Sequence, residues 1–256
     1  MRILLTNDDG IHAPGLVVLQ DIARTLSDDV WVVAPELDQS GASHAITLRA
    51  PLRMRELSPK VHAVTGTPTD CVIMGVRHLL RDQVPTLVLS GVNRGANMAE
   101  DVTYSGTIAG AMEGTLLGIR SIALSLATGF GESRDPKWET ALAHGPSIIQ
   151  RLLDGPWQPG TLMNVNFPDR LPEEVGPIEV TRQGRRDQEV LQIDERADTW
   201  GTAYYWFGFA RKKSNPPPGT DLLAVYEGRI SVTPLVLDLT HRAALEPLAH
   251  HLKNEA

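Results

Sequence analysis

The sequence predicts an α/β fold, Rossmann-like, with a mostly parallel sheet carrying helices on both faces and a β-rich C-terminal extension. Three observations lead there. Five short apolar runs alternate, for the most part, with helical patterns. Oxygen- and glycine-rich loops follow the first three of those runs, where open α/β sheets bind ligands. After about Asp169 the helical pattern gives way to strand-like runs and turn residues.

In chain order, residues 2–6 form the first apolar run. Pro14 to Leu26 then repeats apolar residues at Leu16, Leu19, Ile22, Ala23 and Leu26, close to a helical period. Residues 30–34 form the second run. Thr67-Pro68-Thr69-Asp70 reads as a helix start, with Thr67 as cap, Pro68 in the first turn and Asp70 three residues on. Residues 86–90 are the third run, and a helix follows from Ser105 to about Gly118. Residues 121–126 are the fourth run, Asp135-Pro136 opens a helix to about Leu153, and residues 161–167 are the fifth. Runs buried on both faces are near-continuously apolar, as these are. Beyond them, residues 178–181, 203–207, 222–226 and 230–233 read as strands with no helix between. Asn215-Pro216-Pro217-Pro218-Gly219 reads as a loop, Glu227-Gly228 as a hairpin turn, and Ala243 to Leu252 as a closing amphipathic helix. The expected organisation is one domain over 1–256, with a core at 1–169, an extension at 170–240 and a C-terminal helix at 241–256.

Composition narrows the class. A chain of 256 residues buries roughly three quarters of its unfolded surface and needs no staples. Cys71 is the only cysteine, which excludes an intramolecular disulfide framework; its apolar setting, Cys71-Val72-Ile73-Met74, suits core packing better than a reactive thiol. The N-terminal run turns polar at Asn7, too soon for a signal peptide, and no stretch of about 18 apolar residues exists. A cytoplasmic protein with no membrane partner is expected. The net charge of −7 argues against a nucleic-acid polymer as partner, but one phosphate can be held locally whatever the total charge.

The loops carry the chemistry. Asn7-Asp8-Asp9-Gly10 follows the first run, Asp38-Gln39-Ser40-Gly41 the second, and Gly91-Val92-Asn93-Arg94-Gly95-Ala96-Asn97 the third. Adjacent carboxylates at Asp8 and Asp9 repel unless a cation or proton intervenes, and oxygen donors suit Mg²⁺ or Mn²⁺ rather than zinc. The tetrapeptide is also a good strand-ending turn. Ser105-Gly106-Thr107 opens a helix whose free N–H groups would hold a phosphate; a plain Ser cap explains the same residues. Gly106, Gly110, Gly114 and Gly118 form a stripe along that helix. Interior glycines cost about 1 kcal/mol each relative to alanine, so another backbone, from the sheet or a partner subunit, is expected to lie against them. The dinucleotide, P-loop and nucleophile-elbow glycine signatures are all absent. His12 and His44 suit either proton donation or structural bracing, and Arg94 either phosphate steering or exposure. Arg182, Arg185 and Arg186, with Lys212 and Lys213, read as solvated basic surface.

These segments together resemble the SurE survival-protein family of nucleotidases. The likeness begins at Asn7-Asp8-Asp9-Gly10 with Ala13-Pro14-Gly15 and continues through Ser40-Gly41-Ala42-Ser43-His44 and Gly66-Thr67-Pro68-Thr69-Asp70-Cys71. It runs on through Ser90 to Asn97, Tyr104-Ser105-Gly106-Thr107 and Ala111-Met112-Glu113-Gly114, to Gly219-Thr220-Asp221 and Thr233-Pro234-Leu235. The resemblance implies a metal-dependent 5′(3′)-nucleotidase acting on nucleoside monophosphates, with possible action on short polyphosphate. It implies one divalent cation per subunit, Mg²⁺ or Mn²⁺, on Asp8, Asp9, Ser40 and Asn93, with phosphate near Asn7, Gly41, Asn97, Ser105, Gly106 and Thr107. A homodimer or homotetramer is also implied, with C-terminal β-elements exchanged between subunits. Asp8 or Asp9 is then the expected proton acceptor for an attacking water; a covalent aspartyl-phosphate is the alternative. Two other readings are a nucleotide-binding regulator without turnover and a protein whose main role is assembly.

Overall fold

The computed structural model describes residues 1–129, 135–186, 191–209 and 214–253. Lys212 and Lys213 lie outside them. Nine strands form one sheet: β1 (Arg2–Thr6), β2 (Asp29–Pro35), β3 (Met54–Ser58), β4 (Val61–Val64), β5 (Leu87–Arg94), β6 (Arg120–Leu126), β7 (Thr161–Phe167), β8 (Ile178–Val180) and β11 (Ile230–Val236). Their order is β3-β4-β2-β1-β5-β6-β7-β11-β8. All neighbours are parallel except β3 with β4 and β7 with β11. The α/β reading therefore holds.

Helices cover both faces. Helix α1 (Pro14–Leu26) and helix α4 (Trp138–Asp154) bury Leu16, Leu19, Ile22 and Ile149 against Ile3, Leu5, Leu87, Leu89 and Ile122. On the other face, helix α2 (Pro68–Met74) packs Val72 against Leu4, Val33 and Val88. The alternation of Ile3, Leu4 and Leu5 thus feeds two cores, and each strand reads as a continuous apolar run. Helix α2 begins with the expected capping box: Thr67 accepts from the Asp70 backbone N–H while the Asp70 carboxylate accepts from that of Thr67.

Helix α3 (Gly106–Leu116) is buried on nearly every side, and its glycines explain how. A Cβ at Gly106 would come within 2.8 Å of the Asp8 Cβ, one at Gly110 within 2.8 Å of Ser90 Oγ and of Thr6, and one at Gly114 within 2.9 Å of Val88 and 2.4 Å of Ser121 Oγ. The stripe lies over side chains of β1, β5 and β6 and of Asp8, not over another backbone as expected. Gly118 stands apart: it follows the helix at φ +80°.

Several sequence expectations change in detail. Residues 222–226 form helix α5 (Asp221–Tyr226), not a strand; Thr220 Oγ1 caps it by accepting from the Leu223 N–H. A five-residue apolar run does not distinguish the two states. Glu227-Gly228 consequently closes a helix instead of a hairpin, with the Glu227 N–H donating to Leu223 O. Strands β3 and β4 were not anticipated, because their short sequences hold charged and polar residues. In the extension, β8 and β11 join the main sheet, whereas β9 (Leu191–Ala197) and β10 (Ala203–Phe209) form a separate antiparallel hairpin. Helix α6 (Arg242–Lys253) closes the described chain. Among the described residues no helix is long and apolar enough to cross a membrane.

Strand β1 lies centrally, with β2 on one side and β5 on the other. The chain moves outward from β1 to β2 and β4, then returns to add β5 and β6 on the opposite side. Loops leaving β1 and β5 therefore diverge, and a crevice opens between them at the carboxyl edge.

Candidate functional site

The crevice gathers the predicted loops. Asn7 Nδ2 donates to Gly10 O at 2.9 Å and turns the chain as it leaves β1; the Asn7 Oδ1 atom is buried with no hydrogen-bond partner among the described residues. Asp8 is 5 % exposed. Its Oδ1 accepts from Thr107 Oγ1 at 2.5 Å, and Gly106 leaves just enough space for its side chain. The anion that the α3 N-terminus meets within the chain is thus the Asp8 carboxylate. Asp8 O accepts from the Gln39 N–H at 2.8 Å, which brings in the loop after β2; there the Ser40 N–H donates to Asp38 Oδ1 at 2.7 Å. Asp9 is only half-buried, and its Oδ2 accepts from the Arg94 N–H at 3.3 Å, joining it to the end of β5. Asn93 Nδ2 donates to Gly95 O at 2.9 Å, which leaves its carbonyl oxygen as the side-chain acceptor. Gly91 has φ +137°, and a Cβ there would meet Leu124 O at 2.2 Å, so only glycine lets β5 bend into this loop.

Through backbone groups Asp9 is tied to the residue after Asn93, and Asp8 to the residue before Ser40. Gly41 follows at φ +78° with open space around it. Ser105 serves as the α3 cap, accepting from the Ile108 N–H at 3.1 Å, and the Thr107 hydroxyl is committed to Asp8. What remains for an anion at Ser105-Gly106-Thr107 is mainly backbone. Asn97 is held from β6 and β7: its N–H donates to Asn166 Oδ1 at 2.8 Å, its Nδ2 to Ser125 Oγ at 2.8 Å, and its O accepts from Asn164 Nδ2 at 2.8 Å.

The electrostatics are those of an unneutralised pair. Burial, above all, pushes the Asp8 carboxyl up, against the restraining hydrogen bond from Thr107. Asp9 is pushed up to about 6, by burial first and by the Asp8 charge second, with the Arg94 N–H opposing. Asp38 adds to the repulsion on both. A hard divalent cation fits this set: every donor is oxygen, both carboxylates are poorly compensated, and Asn7 carries an unpaired carbonyl. Among the described residues no group of three or more His, Cys, Asp or Glu is placed to hold a metal ion, so hydroxyl and amide oxygens would complete the shell.

The weaker candidates separate. His44 Nε2 lies 3.0 Å from Glu113 Oε2, two turns along α3 from Gly106, which makes it a brace for the Ser40–Ser43 loop. His12 and Arg94 are exposed. Arg186 is not simply solvated: its guanidinium pairs with Asp101. Sequence reading named Asp38 in its oxygen-rich loop without giving it a site role, and gave Asn164 and Asn166 none. Two asparagines at i and i+2 in an otherwise apolar strand were the available signal.

Comparison with known proteins places the chain in a family. The family model described as Survival protein SurE matches residues 3–190. A protein of Methylorubrum populi named 5′-nucleotidase SurE is 62 % identical over 249 residues, 97 % of this chain and 98 % of its own. A 5′-nucleotidase SurE of Methylobacterium sp. (strain 4-46) is 61 % identical over 252 residues, 98 % of this chain and 100 % of its own. The crystal structure of the SurE protein from Aquifex aeolicus matches with TM-score 0.84 at 38 % identity, covering 98 % of this chain and 99 % of that one.

Proposed function

The chain belongs to the SurE survival-protein family, and from that premise we propose that it is a metal-dependent 5′(3′)-nucleotidase, a phosphoric monoester hydrolase releasing phosphate from nucleoside monophosphates. The observation that carries the reading is the Asp8–Asp9 pair: two adjacent carboxylates at the crevice, raised in pKa by burial, one tied to helix α3 and the other to the end of β5. The names of the relatives supply the substrate class.

Asp8, Asp9, Ser40 and Asn93 would hold one Mg²⁺ or Mn²⁺ per subunit, and the bound ion would supply Lewis acidity toward the phosphoryl group and its attacking water. The remaining work falls to the chain. Asp9, the more open carboxylate, accepts the water's proton. Asp8, nearly enclosed and fastened to Thr107, orients the α3 N-terminus. Gly41, Asn97, Asn7 and the backbone of Ser105, Gly106 and Thr107 surround the phosphoryl oxygens, where fixed dipoles stabilise developing charge without rearrangement. This near-enclosure also disfavours Asp8 as a nucleophile. Release of inorganic phosphate from short polyphosphate follows from the same contacts, which involve no base.

We assign the segment 170–240 to assembly as a homodimer or homotetramer, supported by the exposed aromatics of β10. A cytoplasmic location, with no membrane or nucleic-acid polymer as partner, completes the reading. The test is a phosphate-release panel over nucleoside monophosphates and short polyphosphate with Mg²⁺ or Mn²⁺, with a chelator and Asp9→Asn as controls. Activity that survives both controls, or saturable binding of a monophosphate without release, would remove the proposal. In a single turnover in ¹⁸O-water, label should enter phosphate without a trappable phosphoenzyme.

A further inference from the structure

Asp221 lies far from the crevice in sequence, yet its carboxylate is fully buried and accepts three backbone N–H groups. Oδ1 takes those of Gly184 at 2.8 Å and Leu222 at 2.7 Å; Oδ2 takes that of Ala99 at 2.9 Å. Ala99 is a non-glycine residue at φ +52°, in the left-handed region, so its conformation persists only where its surroundings impose it. Its carbonyl is held too, by Gln183 Nε2 at 2.7 Å. The next two residues are tied to the same segment: the Glu100 carboxylate accepts from the Arg186 N–H at 3.2 Å, and Asp101 pairs with the Arg186 guanidinium. Apolar packing of Met98 and Ala99 with Leu222 and Val225 completes the clamp.

The clamped turn begins directly after Asn97. On its other side Asn97 is held by Asn164, Asn166 and Ser125. Its side chain is therefore fixed between two supports, the strands β6 and β7 and the C-terminal segment. We propose that Asp221, through Ala99, is a positioning residue for the anion site, so that a residue of the C-terminal segment sets phosphate affinity without touching phosphate. This inference rests on the reading of Asn97 as a phosphate contact.

The substitution Asp221→Asn is selective. An amide keeps one acceptor oxygen for Gly184 and Leu222 and turns a donor toward the Ala99 N–H, which cannot pair with it. In the full-length protein with saturating Mn²⁺, inhibition by inorganic phosphate should weaken about tenfold, with a parallel rise in KM for a nucleoside monophosphate. The Mn²⁺ affinity measured without nucleotide should stay within about twofold, because no metal-ligand candidate bonds to the clamp. A merely structural role would not respect the next comparison. In an Asn97→Ala background, which itself weakens phosphate inhibition, Asp221→Asn should add nothing. Equal effects in both backgrounds would overturn the inference. Unchanged phosphate inhibition in Asn97→Ala alone would instead remove the Asn97 reading, and the inference with it. Should Asp221→Asn fail to fold, Gln183→Leu frees the Ala99 carbonyl and carries the same test with a smaller rise, about threefold. No change there would count against the proposal.

Discussion

Strand β1 and strand β10 of the β9–β10 hairpin are both rich in apolar residues, yet they stand at opposite ends of burial. Ile3, Leu4 and Leu5 are 0 % exposed between two paired strands and two helix layers. Trp206 is 60 % exposed and Phe207 74 %, on a ribbon whose strands pair only with each other. A two-stranded ribbon is marginal alone in water, and contiguous exposed aromatics mark an interaction surface. The difference teaches a division of labour. The crevice needs side chains fixed within fractions of an ångström and is built where packing holds on both faces. The hairpin needs only a second surface to cover it.

The most severe way to probe the rigid region is at its carboxylates. Asp9→Asn should lower kcat by roughly 10²–10³-fold, the scale of losing one preorganised charged group, with little effect on oligomer size. Steady-state kinetics and light scattering measure both. A variant that turns over normally would mean that the crevice is not where the reaction happens.

Next in size comes one substitution made in both regions. Gly110→Val drives a branched side chain into Ser90 and Thr6, which already stand within 2.8 Å of a single added carbon. Overpacking of this kind costs about 1–3 kcal/mol, or roughly 3–10 °C in Tm for a chain this long. Gly208→Val in β10 meets nothing within 4 Å, and valine favours strands, so Tm should hold or rise slightly. Calorimetry on the pair decides; equal losses would erase the contrast.

A smaller effect follows from protonation. In metal-free protein Asp9 titrates near 6 against 3.8 for the free side chain. The folded state therefore binds more protons than the unfolded between about pH 4 and 6, and this carboxylate costs stability as pH rises through that window. Burial pushes the His62 imidazole down, which works in the opposite sense at overlapping pH, so the comparison must be with Asp9→Asn. Without metal the variant should melt above the parent at pH 7.5, and the gap should close as pH falls to 4. Saturating Mn²⁺ should reverse the order by stabilising only the parent. A gap independent of pH would show that Asp9 is not held as an unneutralised carboxylate.

How far the sequence foretold this contrast depended on the range of the forces involved. The strands of the core were legible because burial on both faces leaves a continuous apolar run, as in residues 30–34. The Asn7-Asp8-Asp9-Gly10 loop was legible because its donors are adjacent in the chain. Residues 222–226 were misread because five apolar residues fit a strand as well as a helix, although Thr220-Asp221 was a usable cap signal. Strand β9, Leu-Gln-Ile-Asp-Glu-Arg-Ala, was missed because it is mostly polar and buries no core. The Asp221–Ala99 bond spans 122 residues and leaves no local pattern. Nor did the glycine stripe reveal that α3 rests on side chains: spacing reports closeness, not what is close.

The mildest intervention belongs to the hairpin. Phe207→Ser removes an exposed side chain that supports no core, so in dilute protein it should change unfolding free energy by no more than about 0.5 kcal/mol. Its consequence should emerge with concentration. If the aromatics of β10 are covered by another copy, the parent's Tm rises as protein concentration rises, while the variant's stays flat and its sedimentation shifts toward the monomer. A parent Tm independent of concentration, with monomeric sedimentation, would leave the exposed aromatics without a partner in this chain. The division between a rigid crevice and an assembling ribbon would then fail at the ribbon, while the carboxylates of the crevice would be untouched.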